Sequence, residues 1–168
     1  AMAVFVAAGS ATVHHFAGGT WSSIGVGVGG SALRFVDFAN RTIFFGPDER
    51  SIKVYSGSNF DTTSGDPINP DDLWYTNGNT NGGYLRVQFG EVYKSRIYLT
   101  GDNNFTGFGS RLWFSSVITS SGNITWSPST DYIDINPSDG ENISGLKRFS
   151  LELLIFKPNY TYRFRTSG

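Results

Sequence analysis

Residues 84–89 read Tyr-Leu-Arg-Val-Gln-Phe, a stretch in which apolar side chains alternate with side chains that carry a polar group. Successive side chains of a strand point to opposite faces, so Leu85, Val87 and Phe89 are expected to face the core. Similar short runs, separated by Gly, Asn, Ser and Pro, recur along the chain. One of the longest, Phe149–Phe156, is predicted as a single strand. This repetition predicts an all-β protein.

The composition also favours strands over helices. The chain has 21 glycines, 14 phenylalanines and 8 tyrosines, and 15% of its residues are aromatic. Aromatic and β-branched side chains fit the surface of a sheet, whereas the good helix formers never recur with a helical period. Gly18-Gly19 is predicted as a turn between the strands Thr12–Phe16 and Trp21–Val28. We therefore predict an antiparallel β-sandwich with a jelly-roll-like arrangement of strands.

The chain has 168 residues, a length typical of one domain. Residues 56–72 hold almost no aliphatic side chain, and an irregular segment of this length is usually functional or a linker. We predict a single domain over 1–168, in which a Gly-rich sub-region, residues 1–60, precedes a jelly roll at 69–168.

The charge balance and the absence of cysteine exclude several classes of function. The chain has 13 basic and 14 acidic residues, a formal net charge of −1, and no cysteine. A nucleic-acid-binding domain carries a basic surface, and thiol chemistry requires cysteine. The apolar runs are also far shorter than the roughly 20 residues that span a bilayer. We expect neither nucleic-acid binding nor membrane insertion.

Few residues have the arrangement that catalysis requires. His14 and His15 are adjacent, so on a strand they point to opposite faces and do not share a metal ion; one is expected in the core and one in solvent. Glycoside hydrolysis needs two carboxylates at a set separation. The chain is therefore predicted not to be an enzyme, with a carboxylate-dependent glycoside hydrolase as an alternative. Its candidate acids are Asp71, Asp72, Asp131, Asp134, Asp139 and Glu141.

Two acidic, amide-rich turns offer oxygen ligands that suit a hard cation. They are Asp102-Asn103-Asn104 and Asn136–Glu141. Asx side chains in turns also bond to their own backbone, which is the commoner role of such residues. No cofactor is predicted, and a structural Ca²⁺ ion is left open as an alternative.

The stretch 73–84, LWYTNGNTNGGY, combines aromatic and carboxamide side chains. An aromatic ring covers the C–H face of a sugar, and carboxamides bond to its hydroxyls. A second loop, Gly101–Gly109, offers similar groups beside Phe105 and Phe108. In the alternative interpretation, Trp74 anchors the core and the amides only form a hairpin tip. The predicted ligand-binding residues are Trp74, Tyr75, Asn77, Asn79, Asn81, Asp102 and Asn103.

Several stretches after residue 69 resemble one known family. Asp72–Thr76, Gly83–Tyr93 and Ile97–Asp102 are similar to three successive strands of discoidin or coagulation-factor type C modules, which are galactose-binding-like jelly rolls. Ser120–Trp126 and Tyr160–Arg165 are similar to a later turn and to the closing strand of these modules. The resemblance implies a non-catalytic domain that binds glycans or lipid head groups through loops. Loops rich in Asn and Gly favour sugar.

These features predict a non-catalytic carbohydrate-binding or cell-surface adhesion module of a larger extracellular protein. Its partner would be a cell-surface glycan or glycoprotein. The alternative is a receptor-binding or structural domain of a virus or phage surface protein, in which exposed aromatic side chains support homo-oligomerisation. Both functions place the chain outside a cell or on a virion. Sequons for N-glycosylation occur at Asn40, Asn104, Asn123, Asn142 and Asn159.

Overall fold

The computed structural model describes residues 2–7, 10–28, 34–38, 41–45, 53–55, 60–61, 74–75, 83–84, 87–101, 107–117, 127 and 129–166. Within these ranges the regular structure is almost entirely strand. The strands are β1 (Met2–Ala7), β2 (Ser10–Ala17), β3 (Thr20–Val28), β4 (Arg34–Phe38), β5 (Arg41–Phe45), β6 (Lys53–Tyr55), β7 (Phe60–Asp61), β8 (Trp74–Tyr75), β9 (Gly83–Tyr84), β10 (Phe89–Tyr93), β11 (Arg96–Thr100), β12 (Arg111–Phe114), β13 (Tyr132–Asp134), β14 (Gly145–Phe149), β15 (Glu152–Phe156) and β16 (Thr161–Phe164). A 3₁₀ turn, Pro137–Asp139, precedes β14.

The strands form antiparallel sheets, which confirms the all-β prediction. The sheets are β1-β2-β3, β4-β5-β6-β7, β8-β9, β10-β11-β12-β13 and β14-β15-β16. Every pairing in the described residues joins strands that are consecutive in the chain, whereas a jelly roll contains Greek-key crossovers. The sandwich and its jelly-roll-like topology therefore stay predictions. No helix in the described ranges has the length and apolar character needed to cross a membrane.

The four-stranded sheet β10–β13 carries a hydrophobic cluster on each face. On β11, Ile97 and Leu99 join one cluster and Tyr98, which points the other way, joins the second. The first cluster continues into the β4–β5 hairpin through Phe38, Ile43 and Phe45, and includes Val87 and Trp113. The second continues into β15 through Leu153 and Ile155. Residues from the sheets on either side thus bury both faces of this sheet.

The prediction of one strand over Phe149–Phe156 is wrong. The chain reverses at Ser150 and Leu151, so that Phe149 pairs with Glu152 and the segment forms the hairpin of β14 and β15. Ser150 takes a φ of 54°, a left-handed conformation that usually favours glycine. Neither turn residue is Gly, Asn or Pro, and apolar residues lie on both sides of the turn. The sequence therefore predicts one continuous strand at this position.

The strand predicted at residues 84–89 is displaced. Tyr84 ends β9, and the longer strand β10 starts at Phe89 and runs to Tyr93. Val87 is buried as predicted and Phe89 is partly buried, while Leu85 lies outside the described residues. Between Val87 and β10 the alternation shifts by one residue: Val87 belongs to the first cluster, Val92 packs against the same cluster, and the neighbouring Tyr93 belongs to the second.

Candidate functional site

The backbone of the predicted sugar-binding stretch forms an antiparallel pair. Trp74 pairs with Tyr84 and Tyr75 pairs with Gly83, so β8 and β9 lie side by side at the two ends of the amide-rich segment. The side chains of Trp74 and Tyr75 lie outside what the structure describes. Asn77, Asn79 and Asn81 also lie outside the described residues. The role of these five side chains stays a prediction.

The second predicted loop contributes a ring to the core. Asp102, Asn103 and Phe105 lie outside the described residues. Phe108 is partly buried and contacts Trp113 edge-on, with 6.2 Å between ring centroids. The guanidinium of Arg111 lies 4.2 Å from the centre of the same ring. Phe108 therefore supports the first hydrophobic cluster and is not displayed for a ligand.

A pair of aromatic rings is displayed at the tip of the β2–β3 hairpin. Phe16 pairs with Trp21 across the Gly18-Gly19 turn, and their ring centroids lie 5.1 Å apart. Trp21 is 46% exposed and Phe16 is 38% exposed. Large aromatic residues normally bury most of their surface, so an exposed pair is informative about function. The predicted Gly18-Gly19 turn is confirmed. A hairpin register counted outward from this turn pairs Phe16 with Trp21, so the sequence contained the signal for this ring pair.

Polar side chains continue the face that carries the ring pair. His14 pairs with Ser23, and each lies two residues from a ring residue, which places all four side chains on one face of the ribbon. Ser23 is exposed and His14 is partly buried. The expectation of one core and one exposed histidine is wrong, because His15 is partly buried as well. This face therefore combines two rings with a hydroxyl and an imidazole.

A cleft of about 370 Å³ opens between two hairpin turns. One turn is Lys94-Ser95, between β10 and β11, and the other is Ser150-Leu151, between β14 and β15. The hydroxyl of Tyr93 donates a hydrogen bond of 2.6 Å to the carbonyl of Leu151, which ties the two turns together. The lining residues are Phe38, Val92, Tyr93, Lys94, Ser95, Arg148, Ser150 and Leu151.

The backbone of both turns is strained. Lys94, Ser95 and Ser150 have φ values of 45°, 58° and 54°, in the left-handed region. A left-handed conformation costs a non-glycine residue roughly 1–2 kcal/mol, and such conformations cluster at functional sites. Among the described non-glycine residues, Asn136 is the other one with a positive φ, so three of four lie at this cleft. Sequence reasoning missed the cleft because its two turns are far apart in the chain.

The predicted acidic candidates that the structure describes hold the fold together. Asp134 receives two hydrogen bonds from Arg111, of 2.8 Å and 2.9 Å. This interaction holds the pKa of the Asp134 carboxyl below its ordinary value, although partial burial opposes the change. Asp131 accepts a bond from the backbone of Ser127, and Glu141 one from that of Asn159. Asp71 and Asp72 lie outside the described residues.

The predicted calcium turn at Asn136–Glu141 is occupied by a lysine side chain. The ammonium of Lys157 lies 2.8 Å and 2.9 Å from the two carboxylate oxygens of Asp139, and none of the Lys157 side chain is exposed. It also donates to Ser110 Oγ and to the Asn136 carbonyl. The hydrogen bond from Lys157 lowers the pKa of Asp139. An ammonium therefore takes the place that a cation would need, and the other candidate turn, Asp102–Asn104, lies outside the described residues.

In the described part of the chain, no three histidine, aspartate or glutamate side chains lie close enough together to hold a metal ion. No protein-family model matches the chain, and no curated protein is significantly similar to it in sequence.

Proposed function

We propose that this chain is a non-catalytic carbohydrate-binding module that mediates adhesion within a larger extracellular protein. The observation that carries the proposal is the exposed pair of Phe16 and Trp21 at the tip of the β2–β3 hairpin. Contact of two aromatic rings with water is unfavourable, so a ligand that covers the pair would gain binding free energy.

The chemistry of this face matches a sugar. A pyranose presents an apolar C–H face, which packs on the indole of Trp21, and a rim of hydroxyls. The hydroxyl of Ser23 both donates and accepts hydrogen bonds, and the imidazole of His14 adds a further polar group on the same face. Two aromatic residues next to two polar ones thus supply both kinds of contact.

The amide-rich segment between β8 and β9 is the second proposed sugar contact. The antiparallel pairing of Trp74 with Tyr84 supports a hairpin that would carry the amides at its tip. The resemblance of residues 69–168 to discoidin-type modules, which bind through loops at one end, favours the same use. We propose a cell-surface glycan as the partner and an extracellular location for the chain.

Binding to a glycan array tests the proposal. We expect selective binding of one class of glycan, and a loss of about tenfold or more when a stacking ring is removed in Trp21→Ala or Trp74→Ala. Phe35→Ala is the matched control, because Phe35 is an exposed ring on a different sheet. Far-ultraviolet circular dichroism would check that each variant stays folded. Absence of binding to any glycan, or equal loss in the control, would contradict the proposal.

A second candidate is an assembly domain of a virus or phage surface protein. Its support is a set of large apolar side chains exposed on strands, turns and connecting segments, which a neighbouring subunit could cover. They are Phe35, Val117, Phe149, Leu151 and Tyr160. Analytical ultracentrifugation decides: a trimer that persists on dilution would support assembly, and a monomer at all concentrations would argue against it.

A further inference from the structure

The cleft between the Lys94-Ser95 and Ser150-Leu151 turns presents positive charge. Lys94 and Arg148 are the charged residues among its lining side chains, and both are exposed. Glu91 and Glu152 lie next to lining residues in the sequence, and each has a basic partner outside the cleft lining. The Glu91 carboxylate lies 3.2 Å from the Lys147 ammonium and accepts a hydrogen bond from the Arg148 backbone, and the Glu152 carboxylate lies 2.5 Å from the Arg165 guanidinium. The positive charge of the cleft is therefore not cancelled by Glu91.

The cleft also contains hydrogen-bond donors that can still donate to a ligand. The guanidinium of Arg148 and the hydroxyls of Ser95 and Ser150 make no hydrogen bond to another described residue. Lys94 donates one bond, of 2.6 Å, to the carbonyl of Thr166 and has further N–H groups to donate. Four donors around one concave surface suit an oxyanion, because charge-assisted hydrogen bonds are stronger than neutral ones.

The left-handed positions of the two turns carry polar side chains. Glycine would adopt the left-handed conformations of residues 94, 95 and 150 without strain, yet each position carries a side chain with a polar donor. The hydrogen bond from Tyr93 to Leu151 keeps the two turns together without a ligand. The backbones of the two turns are therefore held next to each other before any anion arrives, which reduces the entropy lost on binding.

The rest of the cleft is apolar. Val92 and the exposed Leu151 form its walls, above the buried rings of Phe38 and Tyr93. Its volume, about 370 Å³, is at the small end of the range for ligand sites and suits one sugar residue. We propose that this cleft binds the acidic group, carboxylate or sulfate, of an acidic saccharide. The saccharide part of this inference rests on the proposed function, whereas the anion part rests on the cleft itself.

Calorimetric titration with three related sugars tests the inference. Sialyllactose carries a carboxylate, sulfated lactose carries a sulfate, and lactose is neutral. We expect at least one acidic sugar to bind about tenfold or more tightly than lactose, and the identity of the tighter one assigns the acidic group. Raising sodium chloride from about 50 mM to about 500 mM should weaken that binding through screening. Equal binding of all three sugars would overturn the inference and leave carbohydrate binding intact.

Two variants with the same change in net charge locate the site. Arg148→Gln should lower the affinity for the acidic sugar about tenfold. Arg163→Gln is the control, because Arg163 is exposed on β16 and absent from the cleft lining, and its partner Glu152 keeps the closer ion pair with Arg165. Equal losses in both variants would show a general charge effect and overturn the assignment. If a glycan array shows binding to neutral sugars only, the inference fails and the proposed function stands; if it shows no binding to any glycan, the proposed function fails.

Discussion

Replacing Gly90 by alanine should destabilise the protein through one close contact between two sheets. Gly90 lies on β10, and a Cβ atom at this position would be 2.6 Å from Cζ of Phe45 on β5. It would also be 2.9 Å from Cδ2 of Leu99. Both neighbours are buried, Phe45 at 2% exposure and Leu99 at 0%, so neither side chain has free space into which to move.

Gly145→Ala provides a matched control for the size of this effect. Gly145 also lies on a strand, and its added Cβ would be 3.4 Å from Phe156, an ordinary contact. Alanine reduces the freedom of the unfolded chain, which stabilises by about 0.4–1 kcal/mol where the native conformation is compatible. Overpacking a core costs about 1–3 kcal/mol. Because the unfolded-state gain is common to both variants, the difference between them isolates the steric cost, about 1–3 kcal/mol.

Urea denaturation followed by tryptophan fluorescence measures the free energy of unfolding of each variant. At this chain length, each kcal/mol corresponds to roughly 2–4 °C in melting temperature, so a thermal melt provides a second measurement. We expect Gly90→Ala to unfold at lower urea concentration than wild type and Gly145→Ala at the same or higher concentration. Equal stability of the two variants would refute the close stacking of β5 on β10.

A double variant tests whether Phe45 is the obstructing group. Phe45→Leu removes the ring atoms nearest Gly90 and should itself be destabilising, because it leaves a cavity. In the combined variant Gly90→Ala with Phe45→Leu, the loss should be smaller than the sum of the two single losses, since the added methyl occupies space that the ring vacated. Strict additivity would show that the two residues do not contact each other.

Three further outcomes follow from the contacts described above. Ser95→Gly should raise the free energy of unfolding by about 0.5–1 kcal/mol, because relief of the left-handed φ outweighs the added freedom of the unfolded chain. A lower free energy of unfolding, measured by urea denaturation, would contradict the strain at residue 95. Lys157→Met should lower the melting temperature clearly, because it leaves the Asp139 carboxylate without its ammonium partner; an unchanged calorimetric melt would show that the pair is dispensable. The ordinary pKa of an aspartate is 3.8, and the lowered pKa of Asp134 stabilises the fold at pH values above it. This contribution should disappear as the pH falls through the lowered pKa. Asp134→Asn should therefore make the free energy of unfolding depend less on pH in that range of an acid titration.

The class of fold and several local features could be predicted from the sequence. Alternation of apolar and polar side chains predicts strands, because the two faces of a strand meet different surroundings. The Gly18-Gly19 turn and the buried position of Val87 are confirmed. These features depend on residues next to each other in the chain, which is the range over which a sequence pattern carries information.

Other features depend on which elements meet in space. The reversal at Ser150-Leu151 is marked by one serine and by no Gly, Asn or Pro. It is fixed by the pairing of β15 with β14 on one side and with β16 on the other. The buried pair of Lys157 and Asp139 joins a strand end to a 3₁₀ turn. No local pattern marks a lysine that a distant carboxylate will neutralise.

The sequence by itself determined that this chain forms antiparallel strands joined by polar turns. The tertiary structure decided which rings stay outside and which turns become neighbours. Lys94 and Ser150 lie at opposite ends of more than fifty intervening residues, and they line one cleft because β10 and β14 pack together. The physical reason is that backbone pairing is set locally, whereas the meeting of two turns depends on how whole sheets stack and twist.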